Sequence, residues 1–469
     1  MPDQAFETAI KQVISREFPD FQALQECRQL TAGASQETYR ITYLASDGEQ
    51  KLALRRAQPG SHTESSVGGI SLAAEARLFK LAHKHEIPSP SVLYELKPED
   101  NLGAGFFMNW LEGETLGHRI NRKPEFEEIR PKLAYLCGEI LGRIHSIDWQ
   151  SEKLDAFLEV SDTRGLIQSS WDQYRDMNIP VPMIDYTARW LLDNLPKQNR
   201  TTLVHSDFRN GNLMVNEYGI EAVLDWELAH IGDPVQDLGW LCVNSWRFGQ
   251  RELTVGGFGQ LDNLLAGYKA TTGIEISAEQ VKYWQVFGSF WWSVATLHMA
   301  NTWRSGETPS LERPVIGRRT SEAQMDCVNL LIPGAVSLPD LPALTDGAQL
   351  PMAAELLESV MDFLKTDIAP NQNAHTGFLA RVAANSLSIA QRELLIGQEL
   401  ANAEEHRLEA LLDERADINE LRNRLCTAIR NKAPLNEEAL TQHLRQTVAG
   451  QLLIDQPNYS ALQQAAHQS

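Results

Sequence analysis

The stretch "LVHSDFRNGNLMV" (203–215) starts and ends like a buried strand, yet carries His205, Asp207, Arg209, Asn210 and Asn212 between its apolar ends. Shortly after it, "AVLDWELAHIGDP" (222–234) breaks a second apolar run with Asp225 and Glu227. Carboxylates and amides are costly to bury unless paired or bound. Two short hydrophobic segments that deliver several of them together therefore read as scaffold for a polar site. The segments pair as a β-hairpin turning at "NEYG" (216–219).

Upstream, residues 1–27 read as a helix. Short β-like pieces follow, "ETYRITYLA" and "GEQKLALRRA", with Asp47-Gly48 supplying the turn between them. "SLAAEARLFKLAHKHE" (71–86) returns to helical spacing, and "SVLYEL" and "GFFMNWL" add two strands. A helix inserted in an antiparallel sheet predicts a small α+β lobe over 1–112. From 113 to 335 the chain is mainly helical, with "LAYLCGEILGRIH" marking a buried helix just upstream of the polar segments. Residues 336–351 lie in a proline-rich, aperiodic linker, and 352–469 read as a separate helical domain. In its second helix, Leu379, Val382, Ala383, Leu387, Ala390 and Leu394 fall on one face, the expected buried one.

The totals exclude several classes. Among 469 residues, 42 Lys and Arg face 62 Asp and Glu, a formal charge of −20. Nucleic acid and anionic membrane surfaces are thus unsuitable partners. The five cysteines (27, 137, 242, 327 and 426) show neither CxxC nor a pairing rhythm, which predicts reduced thiols and a cytoplasmic setting. "YWQVFGSFWWSVATLHMANTW" (283–303) is long enough to raise a membrane span, but Gln285, Ser289, Ser293, His298 and Asn301 make it a core helix.

The spacing within the polar segments is specific. Phosphoryl transfer from ATP requires a group that orients the attacking hydroxyl, oxygen ligands for Mg²⁺, and positive charge on the phosphates. His205-Ser206-Asp207 followed by Asn212 has the spacing of a protein-kinase catalytic loop, and Asp225 stands where that fold places a metal-binding aspartate. Oxygen donors suit a hard cation such as Mg²⁺. "HSDFRNGN", "LDWE" and "GDPVQDLGW" together resemble the aminoglycoside phosphotransferase and choline kinase group over roughly residues 25–330. Within it, "LRRAQPG" and the tryptophan-rich helix are most similar to the kinase-like domain fused to acyl-CoA dehydrogenases.

That resemblance implies a two-lobed protein-kinase-like fold followed by an all-α C-terminal domain. It implies that Asp207 is the catalytic base or hydroxyl-aligning group, that His205 braces its loop, and that Asn212 and Asp225 bind Mg²⁺, with Glu227 near a second metal. Asp237 would hold the loop from behind. Arg55 occupies the place of the phosphate-binding lysine, with Glu75 as its partner. Ser35 and Thr38 stand at the phosphate loop, and Asn109, Trp110 and Leu111 at the adenine-binding hinge. The expected acceptor is a small-molecule hydroxyl, such as a hydroxyacyl-CoA; an aminoglycoside, an amino alcohol, or a catalytically weak nucleotide-binding scaffold are the alternatives. The tail resembles an uncharacterised helical domain found beside such kinases. It reads as an interaction module for self-association or for an acyl-CoA dehydrogenase.

Overall fold

The computed structural model describes residues 4–30, 36–57, 69–197, 200–307, 309–344 and 350–466. By its contacts the chain forms two compact units, one of Met1–Asp162, Gln198–Cys242 and Trp246–Val281, the other of Thr163–Lys197, Val243–Ser245 and Lys282–Ser469.

The first unit opens with α1 (Gln4–Glu17), followed by β1 (Phe21–Gln29), β2 (Gln36–Ala45) and β3 (Gly48–Ala57). The expected helix over 1–27 is therefore too long. Pro19 cannot continue a helix and disfavours helical geometry in the residue before it, so the chain turns there and re-enters as a strand. After α2 (Leu72–Lys84), β4 (Val92–Glu95) and β5 (Gly105–Asn109) complete an antiparallel sheet of order β1-β2-β3-β5-β4. Ser71 caps α2 by accepting from the Ala74 N–H at 3.2 Å. Ile10, Val13 and Ile14 of α1 bury against Tyr39, Ile41, Leu54 and Phe107 of the sheet, each such side chain contributing about 1.5–3 kcal/mol.

The rest of this unit is mainly helical: α3 (Gly117–Ile120) and α4 (Arg130–Ile144) precede the polar segments. The chain leaves for the second unit through α5 (Thr163–Asp176) and α6 (Pro182–Asp193). It returns as β6 (Thr202–Val204), β7 (Leu213–Val215), β8 (Ile220–Val223), β9 (His230–Gly232), α7 (Val235–Leu241) and α8 (Leu261–Thr272). β7 and β8 form the expected hairpin, while β6 pairs with β9. α4 and α8 cross closely because Gly138 has no side chain; a Cβ there would lie 2.1 Å from the Leu264 carbonyl oxygen.

α9 (Ala278–Arg304) leads into the second unit, which continues with α10 (Glu312–Arg318), α11 (Thr320–Leu331), α12 (Ala353–Phe363), α13 (Ala374–Leu412), α14 (Ile418–Arg430), α15 (Glu437–Asp455) and α16 (Ser460–Ala466). Among the described residues no helix is long and apolar enough to cross a membrane.

Contacts do not divide the chain at the expected 336–351 linker. The tail helices share one core with α6 and α11: Met183, Met325 and Val328 pack with Leu408, Leu421, Leu425, Leu444, Val448 and Leu452. Val336, inside the linker, is itself buried in that core. A fully buried carboxylate joins the two sets of helices, since Asp185 of α6 accepts from Arg430 of α14 at 2.7 and 2.9 Å. In α13 the buried residues are Gly377, Ala380, Ala384 and Gln391 together with Ile389, Ile396, Glu404 and Leu408, whereas Ala390 and Leu394 of the expected face are exposed. Close approach selects the small residues: a Cβ on Gly377 would meet the Ala369 carbonyl oxygen at 2.6 Å, and Gln391 donates to the Ala354 carbonyl at 2.9 Å.

Candidate active site

The loop between β6 and β7 is fixed from beneath by α7. Asp237, fully buried on that helix, accepts from the backbone N–H of His205 at 2.8 Å and of Ser206 at 2.7 Å. The His145 ring, at the C-terminal end of α4, approaches the same carboxylate at 3.0 Å and the Tyr268 hydroxyl at 3.1 Å. Burial alone would raise the Asp237 carboxyl, but the hydrogen bond and charge of His145, with His205 behind them, hold it below the ordinary range. This anchoring supports a strained turn, for Ser206 sits at φ 69°, in the left-handed region a non-glycine residue enters at a cost.

His205 braces the loop from within. Burial lowers its pKa against the pull of Asp237, Asp207 and Asp225, so the ring is neutral. Nδ1 accepts the Asp207 N–H at 3.2 Å, and the other nitrogen faces the Leu224 carbonyl at 3.2 Å. One tautomer, protonated on Nε2, satisfies both. The ring packs on Trp226, centroid to centroid 4.5 Å.

Asp207 is nearly saturated with donors. Oδ1 accepts from Arg209 Nε and Trp240 Nε1, each at 2.9 Å, and Oδ2 from the Asn212 amide nitrogen. Asn212 also donates to the Asp207 carbonyl at 3.0 Å, and its own carbonyl accepts from Leu224 N–H at 2.9 Å, binding the loop to the end of β8. The Asn212 amide nitrogen is thus spent on Asp207.

Arg55 collects the remaining carboxylates. From β3 its Nε donates to Glu75 of α2 at 2.8 Å and its Nη2 to Asp225 at 2.6 Å, with Glu227 3.9 Å away. Burial works against the guanidinium charge, but Glu75, Asp225 and Glu227 outweigh it and raise the Arg55 pKa. Burial also pushes Glu75 up against the attraction of Arg55. Glu227 is pushed up to about 7 by burial and by Asp225 beside it. Asp225 holds φ 65°, a second left-handed non-glycine residue in the site.

Thr38 stands directly opposite Arg55 in the β2–β3 ladder and so shares its face of the sheet. Ser35 lies outside the described residues. Asn109 ends β5 with its side-chain oxygen accepting from Ser91 N–H at 2.6 Å, so that side chain fastens the β4 entrance; Trp110 and Leu111 follow it half-buried.

Two site residues escape the reading of the sequence. Arg209 pairs with Asp207 and stacks on Trp246, its guanidinium carbon 4.6 Å from the ring centroid. A charge inside a buried loop, two positions after the key aspartate, was the available signal. Trp240 had none, because a tryptophan in an apolar helix looks like core until its N–H is seen to face Asp207.

The chain is similar to several known proteins. The mouse acyl-CoA dehydrogenase family member 10 is 32% identical over 224 residues, 46% of this chain and 20% of that protein. Acyl-CoA dehydrogenase family member 11 of Pongo abelii is 24% identical over 436 residues, 86% of this chain and 52% of that protein. The chain thus spans between a fifth and about half the length of these relatives. A crystal structure from Ralstonia eutropha, of a protein proposed to be an aminoglycoside phosphotransferase, shares the fold with a TM-score of 0.55 at 19% identity, covering 68% of this chain and 96% of that one. Residues 370–459 match a domain of unknown function. Residues 26–273 match the phosphotransferase enzyme family, more than half of the chain, and the protein belongs to that family.

Proposed function

We propose that the protein transfers the γ-phosphoryl group of ATP to a hydroxyl of a small molecule, with Mg²⁺ as cofactor. The observation that carries this reading is the convergence of Asp207, Asn212 and Asp225 with the Arg55–Glu75 pair. A carboxylate offers about four lone-pair sites. Three donors occupy three of them, two on Oδ1 and one on Oδ2. The remaining site on Oδ2 would accept the acceptor's hydroxyl proton and align its oxygen for attack. The donor set fits Mg²⁺, since Asn212 Oδ1 and the Asp225 carboxylate are hard oxygen ligands. Bound there, the metal would neutralise phosphate oxygens as charge develops on them. Arg55 would release Asp225 toward the cation and turn to the phosphates while keeping Glu75.

For the acceptor we favour a hydroxyacyl-CoA, because the relatives are named as acyl-CoA dehydrogenase family members. The five free cysteines support a cytoplasmic setting. The test is ADP release with a panel of hydroxyacyl-CoAs, amino alcohols and aminoglycosides, on wild type and Asp207→Asn. Transfer in the variant should fall about 10²–10⁴-fold, the usual worth of a positioned base, with ATP affinity retained. Turnover within a few-fold of wild type would remove Asp207 from the reaction, and preference for another acceptor would displace the thioester.

A further inference from the structure

The second unit contains a cleft of about 990 Å³, bordered by the start of α6, the end of α9, α10, α13 and α15. That is the size of a pocket for a small organic ligand. We propose that it binds a small organic monocarboxylate with an apolar body, the carboxylate held by Arg407 and His443.

His443 of α15 lines the cleft at 1% exposure, and neither ring nitrogen has a hydrogen-bond partner among the described residues. Buried polar groups in folded proteins are nearly always paired, and an unpaired one costs about 1–3 kcal/mol. Beside it, Arg407 of α13 donates from Nη2 to Thr447 at 3.2 Å, while its Nε is buried with no partner among the described residues. The carboxylates along the cleft are already engaged by other arginines. Both oxygens of Glu404 accept from Arg422, at 2.7 and 2.6 Å. Arg318 takes Asp455 at 2.5 Å and Glu393 at 3.0 Å. Arg407 is thus a half-buried cation whose nearest carboxylate belongs to a neighbour. Burial lowers its pKa, and burial together with Arg407 and Arg422 holds His443 down at about 3, so the imidazole is neutral with one N–H to give.

These features select the ligand. One guanidinium fork and one neutral imidazole match a single carboxylate. A dianion would meet Glu393, Glu404 and Asp455 in the same cleft. Leu297, Ala300, Leu400 and Ile454 give the cleft apolar wall alongside the polar Gln324, Gln446 and Gln451, and Leu394 and Trp303 lie 61% and 44% exposed at its border. Leu400, on α13 about 10 Å from Arg407 along the helix axis, lies within reach of a hydrocarbon body whose carboxylate is held at that cation.

Calorimetric titration of the full chain tests this, with octanoate as probe and octanol and inorganic phosphate as controls. Octanoate should bind saturably at one site per chain, with octanol and phosphate at least tenfold weaker. Arg407→Gln should weaken octanoate at least tenfold. Gln446→Glu, a near-isosteric change at a cleft-lining position one turn from His443 on α15, should do the same by charge repulsion, which keeps the test decisive if the arginine variant misfolds. No saturable binding of octanoate, octanol or phosphate binding as tightly, or unchanged affinity in Gln446→Glu would each overturn the proposal.

Discussion

Arg55 is where a single side chain concentrates the most charge. A lysine ammonium is a compact point charge, whereas the planar guanidinium fork can serve two carboxylates in fixed directions at once. Here Nε serves Glu75 and Nη2 serves Asp225. Glu75 is 2% exposed, so it depends on that cation. Removing one member of a buried pair leaves an uncompensated charge, at about 3–5 kcal/mol. Arg55→Ala should therefore lower the free energy of chemical denaturation by about that much, whether or not nucleotide is present. Arg55→Met combined with Glu75→Leu should recover the part of the loss that belongs to the buried Glu75, leaving only the partly exposed Asp225 without its partner. Equal stability of Arg55→Ala and wild type would show that Glu75 finds its compensation elsewhere. Arg55→Lys tests the phosphate role separately: it keeps the charge but cannot hold both carboxylates, so ATP binding should weaken less than in Arg55→Ala.

The loop 205–212 owes its shape to α7, through one carboxylate that receives two adjacent backbone N–H groups and an imidazole. In Asp237→Asn, one of these donors would face an amide N–H₂, and each hydrogen bond lost in the interior costs about 1–3 kcal/mol. Turnover should drop at least tenfold, and by more than ATP affinity does, because the loop positions Asp207 and carries only Asn212 of the nucleotide-side groups, whereas Arg55 and Asp225 lie on other segments. Unchanged turnover with unchanged circular dichroism would show that the loop keeps its conformation without α7. The polar spacing of this loop was legible in the sequence because its chemistry is local: His205, Asp207 and Asn212 act within eight residues and interrupt an apolar pattern. The hairpin of β7 and β8 was legible for the same reason. β1 was not, since its alternation is weak and the stop at Pro19 had to be weighed against the amphipathic run before it. The buried face of α13 was hidden too. There, close packing favours Gly377, Ala380 and Ala384 over the larger Leu394, and a count of apolar positions ranks them the other way. Arg209 reaches Asp207 from two positions along the same loop, whereas Trp240 reaches it only through tertiary placement.

The tail is the largest departure from what the sequence suggested, and it governs how the chain can be cut. A proline-rich stretch implies a hinge between independent domains, but composition cannot show which helices a tail will pack on. The tail closes the core that α6 and α11 begin, and the chain passes back and forth between the two compact units before reaching it. A chain ending at Leu338 would expose Met183, Met325 and Val328, and would strip Arg430 from Asp185, which has 0% exposure. Trp171 and Tyr174 would still donate to that carboxylate, at 2.7 and 3.2 Å, but neither carries charge. The stranded carboxylate alone costs about 3–5 kcal/mol, a large share of the 5–15 kcal/mol that keeps a typical domain folded. The shortened chain should accordingly aggregate or lose its cooperative melt, and Arg430→Ala in the full chain should lower stability by about 3–5 kcal/mol while remaining folded. Sedimentation and thermal melts of both proteins decide the matter. A monodisperse 1–338 chain with a cooperative melt would mean that α5, α6 and α9–α11 hold their own core, and that the tail packs on a surface already stable without it.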